Sequence, residues 1–130
     1  MSGRSLVLLV SAALLLSACG SGLPNPDAAT TKACGSFASL VHRIDAGKLK
    51  DRKGRKGKKD RRRVRKAVNV IVADAKLASD PDIARAADEL SAQAGKGAVA
   101  VRQAAVEMIR ACADAGVSDT PSPPASPTST

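Results

Sequence analysis

Thirteen of the 19 residues from Lys48 to Lys66 (KLKDRKGRKGKKDRRRVRK) are lysine or arginine, and only Asp51 and Asp60 oppose them. The segment carries +11 whereas the 130-residue chain carries +9, so everything outside it sums to −2. Ammonium and guanidinium groups at that density suit one chemistry above all. They bind phosphates, sulfates or carboxylates repeated along a polymer, spread over a surface or grouped on an acidic protein. The candidate polyanion contacts are Lys48, Lys50, Arg52, Lys53, Arg55, Lys56, Lys58, Lys59, Arg61, Arg62, Arg63, Arg65 and Lys66.

Groups suited to catalysis are sparse. His42 is the single histidine, and its neighbours Val41 and Ile44 give it a structural or surface role. No nucleophile elbow, zinc-binding helix or paired-carboxylate motif is present. Gly95-Lys96-Gly97 lacks the spacing and the following Ser or Thr of a phosphate loop. Asp80, Asp82, Asp88 and Glu89 gather around a predicted helix start, where carboxylates suit the helix dipole. The expectation is a non-catalytic binding protein with no cofactor and no metal.

Met1 to Arg4 is a short, positively charged start, and Leu6 to Leu16 (LVLLVSAALLL) is an apolar run too short to span a bilayer but long enough for a signal peptide. The run ends in Leu16-Ser17-Ala18-Cys19, which resembles the lipobox of bacterial lipoproteins. That resemblance implies removal of residues 1–18, lipid attachment to Cys19 and a lipidated tether over residues 19–29. Three cysteines is an odd number; with Cys19 assigned to lipid, Cys34 and Cys112 remain. In an oxidising compartment such a pair reads as a disulfide. Metal ligation is the rival reading, and it needs acidic partners beyond His42 to complete a tetrahedral site.

Export also bears on nucleic acid. Gly54-Arg55-Lys56-Gly57 fits the GXXG pattern of KH domains, but such a domain needs a sheet. The chain has no Trp or Tyr on which bases would stack, and Phe37 falls on a predicted core face. Nucleic acid is therefore not the expected partner.

Four stretches position these groups, each with apolar residues at helical spacing. The first, about residues 28–46, carries Ala33, Phe37, Leu40, Val41 and Ile44 and stops at Gly47. Asp60 is placed to cap a second helix with a stripe of Val64, Val68, Ile71 and Ala75, ending near Ala78. Within it, Val68 to Val72 (VNVIV) is rich in β-branched residues that also suit a strand, while neighbouring Arg, Lys and Ala favour helix. Asp80-Pro81 opens a third with Ile83, Ala87, Leu90 and Ala94 on one face. The fourth, about residues 98–115, carries Val101, Ala105, Met108, Ile109 and Cys112 and stops at Gly116. The fold expected is an all-α, up-down four-helix bundle over residues 30–116, closed by the cysteine pair. A disordered Pro/Ser/Thr tail over residues 117–130 follows it.

In such a bundle the first helix begins where the last one ends, which brings Cys34 and Cys112 to one end. The basic segment, read as the connection between the first two helices, then lies at the other. A lipid tether before the first helix leaves it roughly 25 Å from the bilayer. This favours an outward-facing anionic envelope polymer or an acidic protein over anionic lipid headgroups, and a merely solvated connector is the plain alternative. Together, the LSAC box, the Ala- and Arg-rich chain, the helical domain opening with Ala33-Cys34 and closing with Ala111-Cys112, and the tail resemble small lipoproteins of actinobacteria. The resemblance implies attachment to the extracytoplasmic face of the cell membrane and carries over no active site.

Overall fold

The computed structural model describes residues 26–122; residues 1–25, among them Cys19 and the expected signal peptide, and residues 123–130 lie outside the described residues. The described residues form four helices and no strand: α1 (Ala28–Asp45), α2 (Gly54–Ala75), α3 (Pro81–Ala94) and α4 (Ala98–Asp114).

Helix α1 starts because the Asp27 carboxylate accepts the Thr30 N–H at 2.6 Å, satisfying one of the donors that a first turn leaves unpaired. It stops at Gly47, whose φ of +69° lets the N–H groups of Gly47 and Lys48 turn back onto the carbonyls of Ile44 and Arg43. The same glycine termination closes α4. Gly116 has φ of +83°, and the Val117 N–H reaches the Cys112 carbonyl at 3.0 Å. Helix α3 opens as expected, with Asp80 accepting the Asp82 N–H at 2.9 Å and Pro81 in the first helical position.

Helix α2 departs from the sequence expectation. It begins at Gly54, six residues before Asp60, so Asp60 is not its cap but a buried residue inside it. The inward line runs Gly57, Asp60, Val64, Val68, Ile71, Ala75, so helical spacing continues through two positions that are not apolar. Val68 to Val72 is helical throughout, with Val68 and Ile71 facing the core. The helix ends at Ala75, three residues earlier than expected.

Each helix packs on its neighbour in sequence, and α1 returns to α4 along a shorter seam. The connections are short, so successive helices run antiparallel as an up-down bundle. Cys34 and Cys112 are joined across the α1–α4 seam with their Cα atoms 5.8 Å apart. Phe37, Leu40, Leu49, Ile71, Ile83, Leu90 and Met108 are the largest fully buried side chains. Alanines fill the intervals, and Ala33, Ala75, Ala87 and Ala105 are wholly inaccessible, so the helices approach closely while burying little area apiece. Leu49 is the unexpected member of this set. It comes from the connection between α1 and α2, in the midst of the cationic run.

Two carboxylates tie the ends of the bundle together. At one end, Asp27 caps α1 and also accepts hydrogen bonds from the N–H and hydroxyl of Ser79, between α2 and α3. At the other, Asp51 accepts from the N–H groups of Ala98 at 2.7 Å and Val99 at 2.9 Å, capping α4 from the α1–α2 connection. Beyond Gly116 the described part of the tail lies on the α1–α4 seam, beside Ala38, Val41 and His42. There the Ser122 carbonyl accepts from Arg102, whose guanidinium also grips Asp45 through two bonds of 2.9 and 3.3 Å.

Candidate polyanion-binding face

Because α2 starts early, the cationic segment is not the connector the sequence reading made it. Lys48, Lys50, Arg52 and Lys53 lie in the connection, whereas Arg55, Lys56, Lys58, Lys59, Arg61, Arg62, Arg63, Arg65 and Lys66 lie on the first half of α2. Twelve of the thirteen are exposed, and Arg61 is half-buried. With Gly57, Asp60 and Val64 turned inward, the cations occupy the whole outward arc of the helix for its first 13 residues, a length of roughly 20 Å.

The two acids within the run do not neutralise this surface. Asp51 is committed to the α4 N-terminus. Asp60 is buried, with Arg52 and Arg63 each 3.9 Å from it, a separation too long for a tight ion pair. The helix is also assembled against its own electrostatics. Lys53 at the cap position makes no side-chain cap bond, and like charges recur at i,i+4 in Arg55/Lys59, Lys58/Arg62, Lys59/Arg63, Arg61/Arg65 and Arg62/Lys66. Each such pair costs about 0.2–0.5 kcal/mol, and cations at a helix N-terminus oppose the macrodipole.

The face is held in place by its surroundings. Leu49 anchors the incoming connection in the core. A Cβ on Gly57 would sit 1.6 Å from the Arg52 carbonyl oxygen, so the glycine is what allows that backbone to cross the first turn of α2. Gly54 has φ of +75°, a left-handed conformation at the helix entry. Both glycines of the GXXG pattern thus have structural duties, and no sheet stands beside them among the described residues. Gly97 serves likewise: a Cβ there would meet Asp51 Oδ1 at 2.1 Å, so the start of α4 is a cradle already filled by an internal carboxylate.

Charge is segregated across the bundle. On α3 and α4, Asp82, Asp88, Glu89, Glu107 and Asp114 are exposed, and a groove of about 400 Å³ between these helices is lined by Asp82, Arg85, Glu89, Glu107, Arg110 and Asp114. Arg85 bonds Asp82 and Arg110 bonds Glu107, whereas Glu89 and Asp114 pair with no cation among the described residues. On the opposite side, both carboxylates of α2, Asp60 and Asp74, are buried, and Asp74 is paired with Lys32 of α1 at 3.3 Å.

The remaining candidate groups are dispersed. His42 is exposed on the α1–α4 side. Cys34 and Cys112 are bonded to each other, so neither offers a thiolate to a metal, and among the described residues no three metal-ligating side chains gather. No described helix is long and apolar enough to cross a membrane. Comparison with family models, with curated proteins and with solved structures gives no match to the chain.

Proposed function

We propose that this chain is a lipid-anchored, non-catalytic interaction protein of the bacterial envelope. Cys19 carries the anchor on the extracytoplasmic face of the cell membrane, and the cationic half of α2 binds closely spaced anionic groups. One observation carries the binding reading: the full outward arc of the first half of α2 is cationic with no exposed acid on it, at a cost in helix stability. A mobile, solvated connector has no need of such an arrangement. A bound polyanion relieves the repulsion along the arc and meets the positive end of the helix dipole at its start. Attraction of this kind is steep in salt and tolerant of the ligand's detailed structure.

The test replaces Arg55, Lys59, Arg62 and Lys66 by Gln and measures retention on purified anionic envelope polymer across a salt gradient. The variant is expected to elute at markedly lower salt. Unchanged retention at low salt sinks the binding reading and leaves a spacer protein with a solvated helix. The anchor is tested separately by the intact mass of membrane-extracted protein, which is expected to begin at an acylated Cys19.

A further inference from the structure

We infer that the outward face of α2 lies on an anionic lipid bilayer, with its first half on the headgroups and its second half reaching into their apolar boundary. This rests on the anchored, polyanion-binding reading above and names its ligand as the membrane itself. The observation is a single line along the helix. Lys59, Arg63, Lys66, Val70 and Ala73 follow one another at intervals of four, three, four and three residues, and all are exposed. Leu77, four residues on in the turn that ends α2, continues the line. Val70 is 48% and Leu77 77% exposed, and these are two of the three large hydrophobic side chains the described surface leaves open. Cations followed by apolar groups on one helical line is the arrangement that seats a helix in the bilayer interface.

The position of the anchor agrees. Leu77 is two residues from Ser79, which is hydrogen-bonded to Asp27 at the start of α1. Cys19 precedes Asp27 by eight residues, a reach of at most about 27 Å. The apolar end of the line therefore sits beside the point where the tether enters, and α2 leads away from it with the cations further along. A loop at the far end of an upright bundle would stand roughly 25 Å from the bilayer. Most of the basic segment is instead on a helix that runs back toward the tether, which brings Lys66 about half-way down. With five exposed carboxylates on α3 and α4 and none on α2, an anionic surface attracts one side of the molecule more than the other. An acyl chain with a basic patch is also the combination that makes attachment firm.

The chain contains no tryptophan, so one introduced indole reports without background. The full-length lipidated protein carrying Leu77→Trp is reconstituted in phosphatidylcholine vesicles with and without phosphatidylglycerol. Val99→Trp serves as control, because Val99 is 56% exposed at the start of α4 and lies off the line that Leu77 continues. Leu77→Trp is expected to shift to the blue and to be quenched by brominated acyl chains only in the anionic vesicles. Raised salt is expected to reverse the change, and Val99→Trp to stay in water throughout. Adding Lys59→Gln, Arg63→Gln and Lys66→Gln is expected to lower the docked-to-undocked ratio by about fivefold per cation. If the indole at position 77 stays in water on anionic vesicles while retention on purified polymer still depends on the cations, the bilayer inference falls and the polyanion reading stands. If retention is also insensitive to the cations, both fall.

Discussion

Single residues hold this fold at points where backbones nearly touch or where one carboxylate serves two elements. Gly57 is the clearest. Gly57→Ala forces a Cβ against the Arg52 carbonyl and is expected to destabilise by about 1–3 kcal/mol. Gly35→Ala, exposed in the middle of α1 with open space around it, is expected to stabilise by about 0.5–1 kcal/mol. Urea unfolding followed by circular dichroism checks both signs. Asp27 makes the fold sensitive to acid. The Ser79 hydroxyl first, then the Thr30 and Ser79 N–H groups, hold its carboxyl well below the usual carboxylate range. An unfolded Asp titrates near about 3.9, so as pH falls the unfolded chain takes up the proton first. The stability owed to Asp27 is complete above that pH and is lost as pH drops toward the folded value. Thermal unfolding between neutral pH and strong acid is expected to show a shallower decline for Asp27→Asn than for the native chain.

At the scale of elements, the apolar stripes of α1, α3 and α4 were legible because each repeats Val, Ile, Leu, Phe, Met or Ala at three- and four-residue spacing, with Asp80-Pro81 opening α3 and Gly47 and Gly116 stopping α1 and α4. The first half of α2 was not, since its inward positions are Gly57 and Asp60 and its outward positions are all charged. Helical spacing back from Val64 does reach both, but neither residue signals burial by type. Leu49 was visible as a lone apolar residue among cations, yet nothing local said that it enters the core. The Asp51 cap on α4 spans 47 residues and is a product of topology. The like-charged pairs of α2 lead to an expectation opposite to the usual effect of mutation. Replacing Arg55, Lys59, Arg62 and Lys66 by Gln is expected to raise stability at low salt, by about 0.2–0.5 kcal/mol for each i,i+4 repulsion removed. The gain should shrink at high salt, where screening has already weakened the repulsion. Urea titrations at two ionic strengths measure it, and a gain in stability paired with a loss of polyanion retention marks the face as kept for binding.

For the whole molecule, the cysteine pair closes the bundle along the α1–α4 seam, which is shorter than the seams between successive helices. The bond spans 78 residues of chain, and loop closure of that size corresponds to about 4.5 kcal/mol in the chain-entropy model. Cys34→Ser with Cys112→Ser is expected to lower unfolding free energy by an amount near that figure, as read by urea denaturation. Hydrogen exchange in that variant should rise first along α1 and α4, whose mutual contact is shorter than any contact between successive helices. The position of the bond was legible because an up-down bundle brings the start of its first helix beside the end of its last.

That bond also decides how the protein carries a mechanical load. A pull exerted between the two ends of the chain enters at Cys34 and leaves at Cys112, across a covalent link. Residues 35–111, the cationic face among them, then lie off the line of force. Only the chain before Cys34, the first turn of α1 included, and the chain after Cys112 carry the tension, and the rest of the bundle is shielded while the two ends are drawn apart.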